Sequence, residues 1–154
     1  VAKGLPFVDE AMVAAYNTPE GDRTPKQKEA LQVSDELVEE LQSADMIVMG
    51  VPIYNFSVPA ALKAYIDLVA RAGLTFTYSS EGPKGLLRDR KTYIIITSGG
   101  TPVGSEIDYT SGYLKHFLSF LGIQDVEVIA ADSLSRTGSE KLSEVRQQIA
   151  NSIL

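Results

Sequence analysis

Met46-Ile-Val-Met-Gly-Val-Pro-Ile-Tyr-Asn-Phe-Ser-Val-Pro59 is the stretch that decides the fold of this chain. It begins with a continuous apolar run, Met46 to Val51, which is typical of a strand buried on both faces of a parallel sheet. Pro52 is predicted to end the hydrogen bonding of that strand, because proline has no N–H to donate. A loop rich in aromatic residues follows, and then an amphipathic helix for which Ser57 is the expected N-cap. Open α/β sheets bind ligands at loops of this kind, where a strand ends and a helix follows.

Two further strands are predicted at residues 91–97 and 126–131, and amphipathic helices separate the three strands along the chain. This alternation predicts an α/β fold, with a parallel sheet and helices on both of its faces. Residues 79–85 contain two glycines and a proline, which predicts a turn or a mobile loop. We interpret the whole chain, residues 1–154, as a single domain of this class.

Several helices carry recognisable start signals. Asp9 is the expected N-cap of a short helix, and Thr24-Pro25-Lys26-Gln27 is a capping box with proline at the first helical position. Thr137 and Glu140 have the same spacing and predict a second capping box before the last helix. On the helix after Thr24, the residues predicted to be buried are Ala30, Val33, Leu37, Leu41 and Ala44.

The composition is that of an ordinary globular protein, with 44% hydrophobic and 22% charged residues among 154. The chain has no cysteine, which excludes disulfides, a thiol nucleophile and cysteine-based metal sites. A net charge of −6 argues against nucleic acid or an anionic membrane as a partner. No apolar run approaches the roughly 20 residues of a membrane helix, and no signal peptide is visible. We therefore predict a cytoplasmic protein.

The predicted sheet has few strands for its class. Three strands are convincing, whereas sheets of this class usually have about five or more. The first residue is Val rather than Met, and a helix precedes the first strand. We therefore expect that an N-terminal portion of the fold precedes Val1 in a longer protein.

Two loops at strand ends form the candidate site. The first offers aromatic faces and one amide, and the second offers backbone without Cβ atoms, which lets a flat ligand approach main-chain donors. Neither contains a nucleophile–base pair or a set of metal ligands, so no catalytic side chain and no metal are predicted, and the loops favour a site that holds a cofactor. The predicted cofactor-binding residues are Pro52, Ile53, Tyr54, Asn55 and Phe56 in the first loop and Ser98, Gly99 and Gly100 in the second.

The segments 52–56, 62–78, 82–86 and 97–100 together resemble the family of FMN-dependent NADH-azoreductases and quinone oxidoreductases. The resemblance extends from about Leu5 to the C-terminus. It implies a flavodoxin-like fold and a homodimer with a flavin site at each subunit interface. It also implies electron transfer from NADH or NADPH through FMN to a quinone or an azo compound. By the same resemblance, residues 53–56 would lie along the flavin ring, Ser98 and Gly100 would contact its polar edge, and Phe76 and Tyr78 would reach the partner's pocket.

The sequence departs from this family in two places. The family usually has an early strand and a serine-rich loop that holds the FMN phosphate at a helix N-terminus, and no such stretch occurs here. Thr101-Pro102 follows the glycines, where the family often has a ring-bearing residue.

Simpler interpretations stay open for single residues. Tyr54 and Phe56 could form a plain hydrophobic plug, and Asn55 could be an ordinary turn residue. Arg71 is expected to cap helix carbonyls or to lie at a dimer contact. Asp108 and Tyr109 are weaker candidates for contact with cofactor or substrate.

The alternative functions are a flavodoxin-like FMN-binding module without turnover and a hydrolase of the acyl-carrier-protein phosphodiesterase type. NADH consumption with a quinone would separate the enzyme from the module, and phosphodiester cleavage without flavin would indicate the hydrolase.

Overall fold

The structure is a computed structural model that describes residues 4–153, with the side chain of Ile153 outside the description. The three predicted strands are present, and helices lie between them along the chain. The helices are α1 Glu10–Tyr16, α2 Pro25–Ser43, α3 Ala60–Val69, α4 Ser111–Leu121 and α5 Leu134–Ile153. The strands are β1 Ile47–Pro52, β2 Phe76–Ser79, β3 Gly82–Gly85, β4 Thr92–Thr97 and β5 Val126–Ala131. A 3₁₀ turn, Glu20–Asp22, lies between α1 and α2.

The chain divides into two units. The first contains the residues up to Ala44, Ala60–Arg88 and Phe120–Gly122, and the second contains Asp45–Pro59, Asp89–Ser119 and the residues from Ile123 onward.

The first unit contains α1, α2, α3 and the β2–β3 hairpin, and its helix starts confirm the local predictions. The Asp9 side chain accepts a hydrogen bond from the Met12 N–H at 2.8 Å and caps α1. Thr24 and Gln27 form the predicted reciprocal capping box at the start of α2. These interactions span three residues, so the local sequence suffices to specify them.

The buried face of α2 differs from the prediction. Ala30 and Leu37 are half-buried and Val33 is exposed, whereas the buried residues are Leu31, Ser34, Val38 and Leu41. The prediction is confirmed for Leu41 and wrong for the exposed Val33, and it missed Ser34 because a serine does not count as a core residue in a hydrophobic pattern. Here Ser34 is fully buried because its hydroxyl donates to the Leu68 carbonyl at 2.6 Å.

The prediction of a turn or mobile loop over residues 79–85 is also wrong. Gly82–Gly85 forms β3, which pairs antiparallel with β2. The composition Gly-Pro-Lys-Gly conceals the strand, because glycine and proline are rare in strands. A proline is tolerated in this two-stranded hairpin because each strand has an edge without a pairing partner.

The second unit contains the three-stranded parallel sheet, in the order β1-β4-β5, which confirms the three predicted strands and their direction. The register places Pro52 opposite Thr97 and Thr97 opposite Ala131, so the three strands end at the same level. The loops that follow them therefore leave from one edge of the sheet.

Burial of β1 on both faces is contradicted within the described residues. Val48 is 57% exposed and Met46 is 45% exposed, and Val51 is the buried residue of the strand. Among residues 4–153, β1 pairs with β4 alone and forms the edge of the sheet. Alternate side chains of an edge strand lack the neighbours that cover a central strand, so the apolar run overstated the burial.

Pro52 does not end the ladder between β1 and β4. The Ile53 N–H still donates to the Thr97 carbonyl at 2.8 Å, just as the Ile47 N–H donates to the Lys91 carbonyl at 3.1 Å. Amides at odd positions therefore point toward β4 and those at even positions point away. Pro52 lacks its N–H on the side where no ladder bond is needed.

The last helix begins earlier than predicted. It starts at Leu134 and is interrupted at Gly138, which has φ 48° and ψ −121°. The Thr137 hydroxyl donates to the Ser133 carbonyl at 3.1 Å and so belongs to the turn before this break. The prediction of a capping box at Thr137 and Glu140 was therefore wrong.

Candidate functional site

The two predicted loops leave the sheet side by side. Residues 53–57 follow β1 and residues 98–104 follow β4, which are adjacent parallel strands that end at paired residues. Both loops belong to the second unit. The topology therefore brings the eight predicted site residues to one edge of one sheet, as open α/β sheets do at their ligand sites.

The first loop is a tight turn with an unusual backbone. The Tyr54 N–H donates to the Ser57 carbonyl at 3.0 Å, and the Ser57 N–H donates to the Tyr54 carbonyl at 3.1 Å. The two central residues, Asn55 and Phe56, both have positive φ, at 49° and 70°. Asparagine tolerates this left-handed conformation, but a residue with a bulky side chain adopts it at a cost of about 1–2 kcal/mol. Ser57 therefore closes this turn, and the prediction that it caps α3, which begins at Ala60, was wrong.

The turn presents its side chains outward. Tyr54 is 62% exposed and Phe56 is 53% exposed, while Pro52 and Ile53 are half-buried. No hydrogen bond within residues 4–153 involves the side chain of the exposed Asn55. Local strain that displays an aromatic ring and a free amide is typical of functional sites. The exposure also argues against a plain hydrophobic plug, since a plug would be covered.

The second loop combines a fixed serine with open glycines. The Ser98 hydroxyl donates to the Thr101 carbonyl and accepts the Ser133 N–H at 3.2 Å. Ser98 is buried, so its side chain serves chiefly to fix the loop. Gly99 and Gly100 are exposed, and a Cβ added at Gly100 would meet nothing within 4 Å. The open space beside Gly100 leaves room for a flat ligand to approach the backbone.

A third segment, residues 104–111, adjoins the first loop. The Tyr109 N–H donates to the Phe56 carbonyl at 3.2 Å. The Asp108 carboxylate accepts four hydrogen bonds from Gly104, Thr110 and Ser111, at 2.5–3.0 Å. Partial desolvation raises the pKa of Asp108, but these hydrogen bonds together outweigh it and hold the pKa below its ordinary value. Asp108 is therefore a fixed anion that organises this segment.

Asp132 is a site-edge residue that the sequence analysis missed. Its carboxylate accepts the Val103 N–H at 2.6 Å and lies 3.5 Å from the Lys141 ammonium. The signal was its position directly after β5, at the same edge as the other two loops.

Arg71, expected to be a helix cap or a dimer contact, lies in the first unit together with Phe76 and Tyr78, which the resemblance places at the partner's pocket. Arg71 is 3% exposed, contacts the Asp35 carboxylate at 2.8 Å and lies over the Tyr16 ring at 4.5 Å, so the idea that it caps helix carbonyls was wrong. Phe76 is buried against Phe120 with ring centroids 4.5 Å apart. Tyr78 is 72% exposed and contacts the Phe76 ring edge-to-face, with ring centroids 5.5 Å apart.

The arrangement fits a flat aromatic ring with a polar edge. The exposed aromatic faces of Tyr54 and Phe56 suit ring contact, and the Asn55 amide offers both donors and an acceptor. The Gly99–Gly100 backbone adds an uncovered main chain. The donor set lacks metal-binding character: residues 4–153 contain no group of three His, Cys, Asp or Glu that could hold a metal ion. In the same part of the chain, no helix has the length and apolar character needed to cross a membrane.

A parallel sheet whose strands are separated along the chain by helices places this protein in the class of α/β proteins. The chain belongs to the family described as having a flavodoxin-like fold, whose pattern matches residues 1–153.

Proteins similar to this chain include two quinone oxidoreductases and an azoreductase of known structure. The chain is 54% identical over 147 residues to an FMN-dependent NADH:quinone oxidoreductase of Erythrobacter litoralis, covering 94% of this chain and 75% of that protein. It is 49% identical over 150 residues to FMN-dependent NADH:quinone oxidoreductase 1 of Hahella chejuensis, covering 97% and 74%. A Bacillus anthracis FMN-dependent NADH-azoreductase in complex with FMN superimposes with a TM-score of 0.85 at 27% identity, covering 96% of this chain and 73% of that one.

Proposed function

We propose that this protein is an FMN-dependent oxidoreductase that transfers electrons from NADH or NADPH to quinones or azo compounds. The observation that carries the proposal is the strained Tyr54–Ser57 turn, which displays Asn55 and Phe56 beside an open glycine loop. Two relatives named FMN-dependent NADH:quinone oxidoreductase also support it, because this chain is identical to each of them at about half of the aligned positions. Bound FMN would supply the two-electron chemistry between the nicotinamide and the acceptor.

The residues of the first loop would bind the flavin ring of FMN. In this proposal Tyr54 and Phe56 provide apolar contact area, and the half-buried Pro52 and Ile53 join the turn to β1. Asn55 pairs with the polar edge of the ring through its amide, which has no partner among the described residues. Hydrogen-bond donors at such an edge stabilise negative charge that develops there.

The second loop would complete the site from the neighbouring strand. Ser98 holds the loop in place through its bonds to Thr101 and Ser133, so that Gly99 and Gly100 keep their exposed backbone toward the ligand. No side chain in either loop is assigned a proton-transfer role. The protein's contribution is binding, orientation and the electrostatics of the ring edge.

We also propose that the protein forms a homodimer and is located in the cytoplasm. The resemblance to the azoreductase family supports the dimer, and the exposed ring of Tyr78 offers an apolar contact for a second subunit. Sedimentation or light scattering of the purified protein would test the assembly.

The test of function has two stages. Titration of FMN with the protein should quench flavin fluorescence, and the complex should oxidise NADH or NADPH only when a quinone or azo dye is present. Asn55→Gly should weaken the quenching, whereas the control Asn17→Gly should not, because Asn17 lies at the end of α1 in the first unit and its amide donates to the Val13 carbonyl at 2.9 Å. A protein that neither quenches flavin fluorescence nor oxidises NADH after incubation with FMN would contradict the proposal.

A further inference from the structure

The Phe56 backbone is held in place from outside its own turn. Its carbonyl accepts the Tyr109 N–H at 3.2 Å, across 53 residues of sequence. Within the turn, the Tyr54–Ser57 pair closes the ends but leaves the two left-handed residues to be stabilised by other contacts. A bulky residue stays in this conformation only where its surroundings determine it.

Asp108 fixes the position of the Tyr109 N–H. One carboxylate oxygen accepts the Thr110 and Ser111 N–H groups at 2.9 and 3.0 Å, at the beginning of α4. The other accepts the Gly104 N–H at 2.8 Å and the Ser111 hydroxyl at 2.5 Å. The Asp108 side chain thus connects Gly104, at the end of the glycine loop, with Thr110 and Ser111, at the start of α4. Tyr109 lies between them in the sequence.

We propose that Asp108 is a positioning residue of the ring site: it sets the Tyr109 N–H against the Phe56 carbonyl and thereby holds the Asn55–Phe56 turn in its binding conformation. This inference rests on the proposed function, because the ring that the turn would contact is FMN. Asp108 itself acts through the backbone and is assigned no contact with the ligand.

The two oxygens can be tested separately. In Asp108→Asn the remaining carboxamide oxygen can still accept the two amides at the start of α4, whereas the NH₂ group cannot accept the Gly104 N–H. In Asp108→Ala both sets of bonds are lost. The expected order of flavin affinity is therefore wild type, then Asp108→Asn, then Asp108→Ala, with the alanine variant about tenfold weaker than wild type, which corresponds to about 1.4 kcal/mol.

Asp89 provides the matched control. Its carboxylate accepts the Gln124 and Asp125 N–H groups at 2.7 and 3.0 Å, and these bonds hold its pKa below the ordinary value. It lies just before β4 and binds residues just before β5, at the sheet edge opposite the site. Asp89→Asn is therefore matched to Asp108→Asn: it removes the charge of a hydrogen-bonded carboxylate in the same unit and keeps an oxygen that can accept both amides, without touching the site loops.

The experiment combines flavin binding with a measurement that needs no flavin. Fluorescence titration gives the affinity for riboflavin and FMN in wild type, Asp108→Asn, Asp108→Ala and Asp89→Asn. Amide hydrogen exchange of the flavin-free proteins reports whether the Tyr109 N–H remains protected. We expect faster exchange at Tyr109 and weaker flavin binding in both Asp108 variants, and unchanged values for both in Asp89→Asn.

The outcomes distinguish this inference from the proposed function. If wild type binds flavin and Asp108→Ala binds it equally well, the positioning role is refuted while the function stands. Equal weakening in Asp89→Asn and the Asp108 variants would also refute it, since the effect would then reflect general stability. If wild type binds no flavin at all, the proposed function fails and this inference fails with it.

Discussion

Substitution of Asn55 separates its backbone role in the turn from the contact with flavin that we propose for its amide. Its backbone has φ 49°, which asparagine and glycine tolerate, and its exposed amide has no hydrogen-bond partner among the described residues. Asn55→Gly keeps the backbone conformation and removes the amide. Asn55→Ala removes the amide and also places a side chain in a conformation that alanine disfavours.

The expected magnitudes differ for binding and for stability. Loss of one hydrogen bond to the flavin is worth about 0.5–1.5 kcal/mol, so both variants should bind flavin about two- to twelvefold more weakly. The free energy of unfolding should change little in Asn55→Gly, because the relaxed left-handed backbone offsets the added chain entropy of glycine. In Asn55→Ala it should fall by about 1 kcal/mol or slightly more, which is the cost of left-handed backbone for an L-residue.

Two assays measure these effects on the same protein samples. Fluorescence titration with riboflavin and FMN gives the binding change, and urea denaturation without flavin gives the stability change. Asn17→Gly serves as the control for an asparagine outside the site. If Asn55→Gly binds flavin as tightly as wild type, Asn55 is an ordinary turn residue and the proposed ring-edge contact is refuted.

Three further predictions follow from particular contacts. Phe56→Gly should change the unfolding free energy by less than about 1 kcal/mol, because relief of the left-handed strain offsets the loss of a half-exposed ring. The control, Phe117→Ala in the core, should cost about 3–5 kcal/mol, and equal losses for the two variants in denaturant unfolding would contradict the strain at Phe56. Arg71→Met should destabilise the protein by about 1.5–3 kcal/mol, because it removes the hydrogen bond of the buried guanidinium to the buried Ser34 hydroxyl and its ion pair with Asp35. Lys63→Met, in the exposed pair with Asp67, should cost about 0.5 kcal/mol or less, and an equally small loss for Arg71→Met in thermal unfolding would contradict this reasoning. Folding lowers the pKa of Asp108 from 3.8, so the ionised carboxylate stabilises the folded protein above that value, and this stabilisation is lost as the pH falls through the lowered pKa. The free energy of unfolding should therefore fall more in wild type than in Asp108→Asn below about pH 4, and parallel pH profiles of the two proteins would refute this.

The sequence alone determined the features that depend on near neighbours. The caps at Asp9 and Thr24 follow from side chains three residues from their amide partners. The three parallel strands follow from apolar runs, and the position of the site follows from the topology, since loops after adjacent parallel strands must leave one edge together. Asn55, a residue tolerated at positive φ, is also consistent with a turn from sequence alone.

Only the tertiary structure decided features that rest on distant contacts. Ser34 can be buried because its hydroxyl donates to the Leu68 carbonyl and accepts from the Arg71 guanidinium, 34 and 37 residues away, each at 2.6 Å. Pro52 stays in β1 because its missing N–H faces away from β4, and no local pattern tells which way that amide points. Phe56 takes a left-handed backbone that its side chain disfavours, within a turn closed by Tyr54 and Ser57. The Phe56 carbonyl accepts the N–H of Tyr109, which lies 53 residues later in the chain. Such a contact depends on where two remote segments meet, so the residues around either one carry no signal of it.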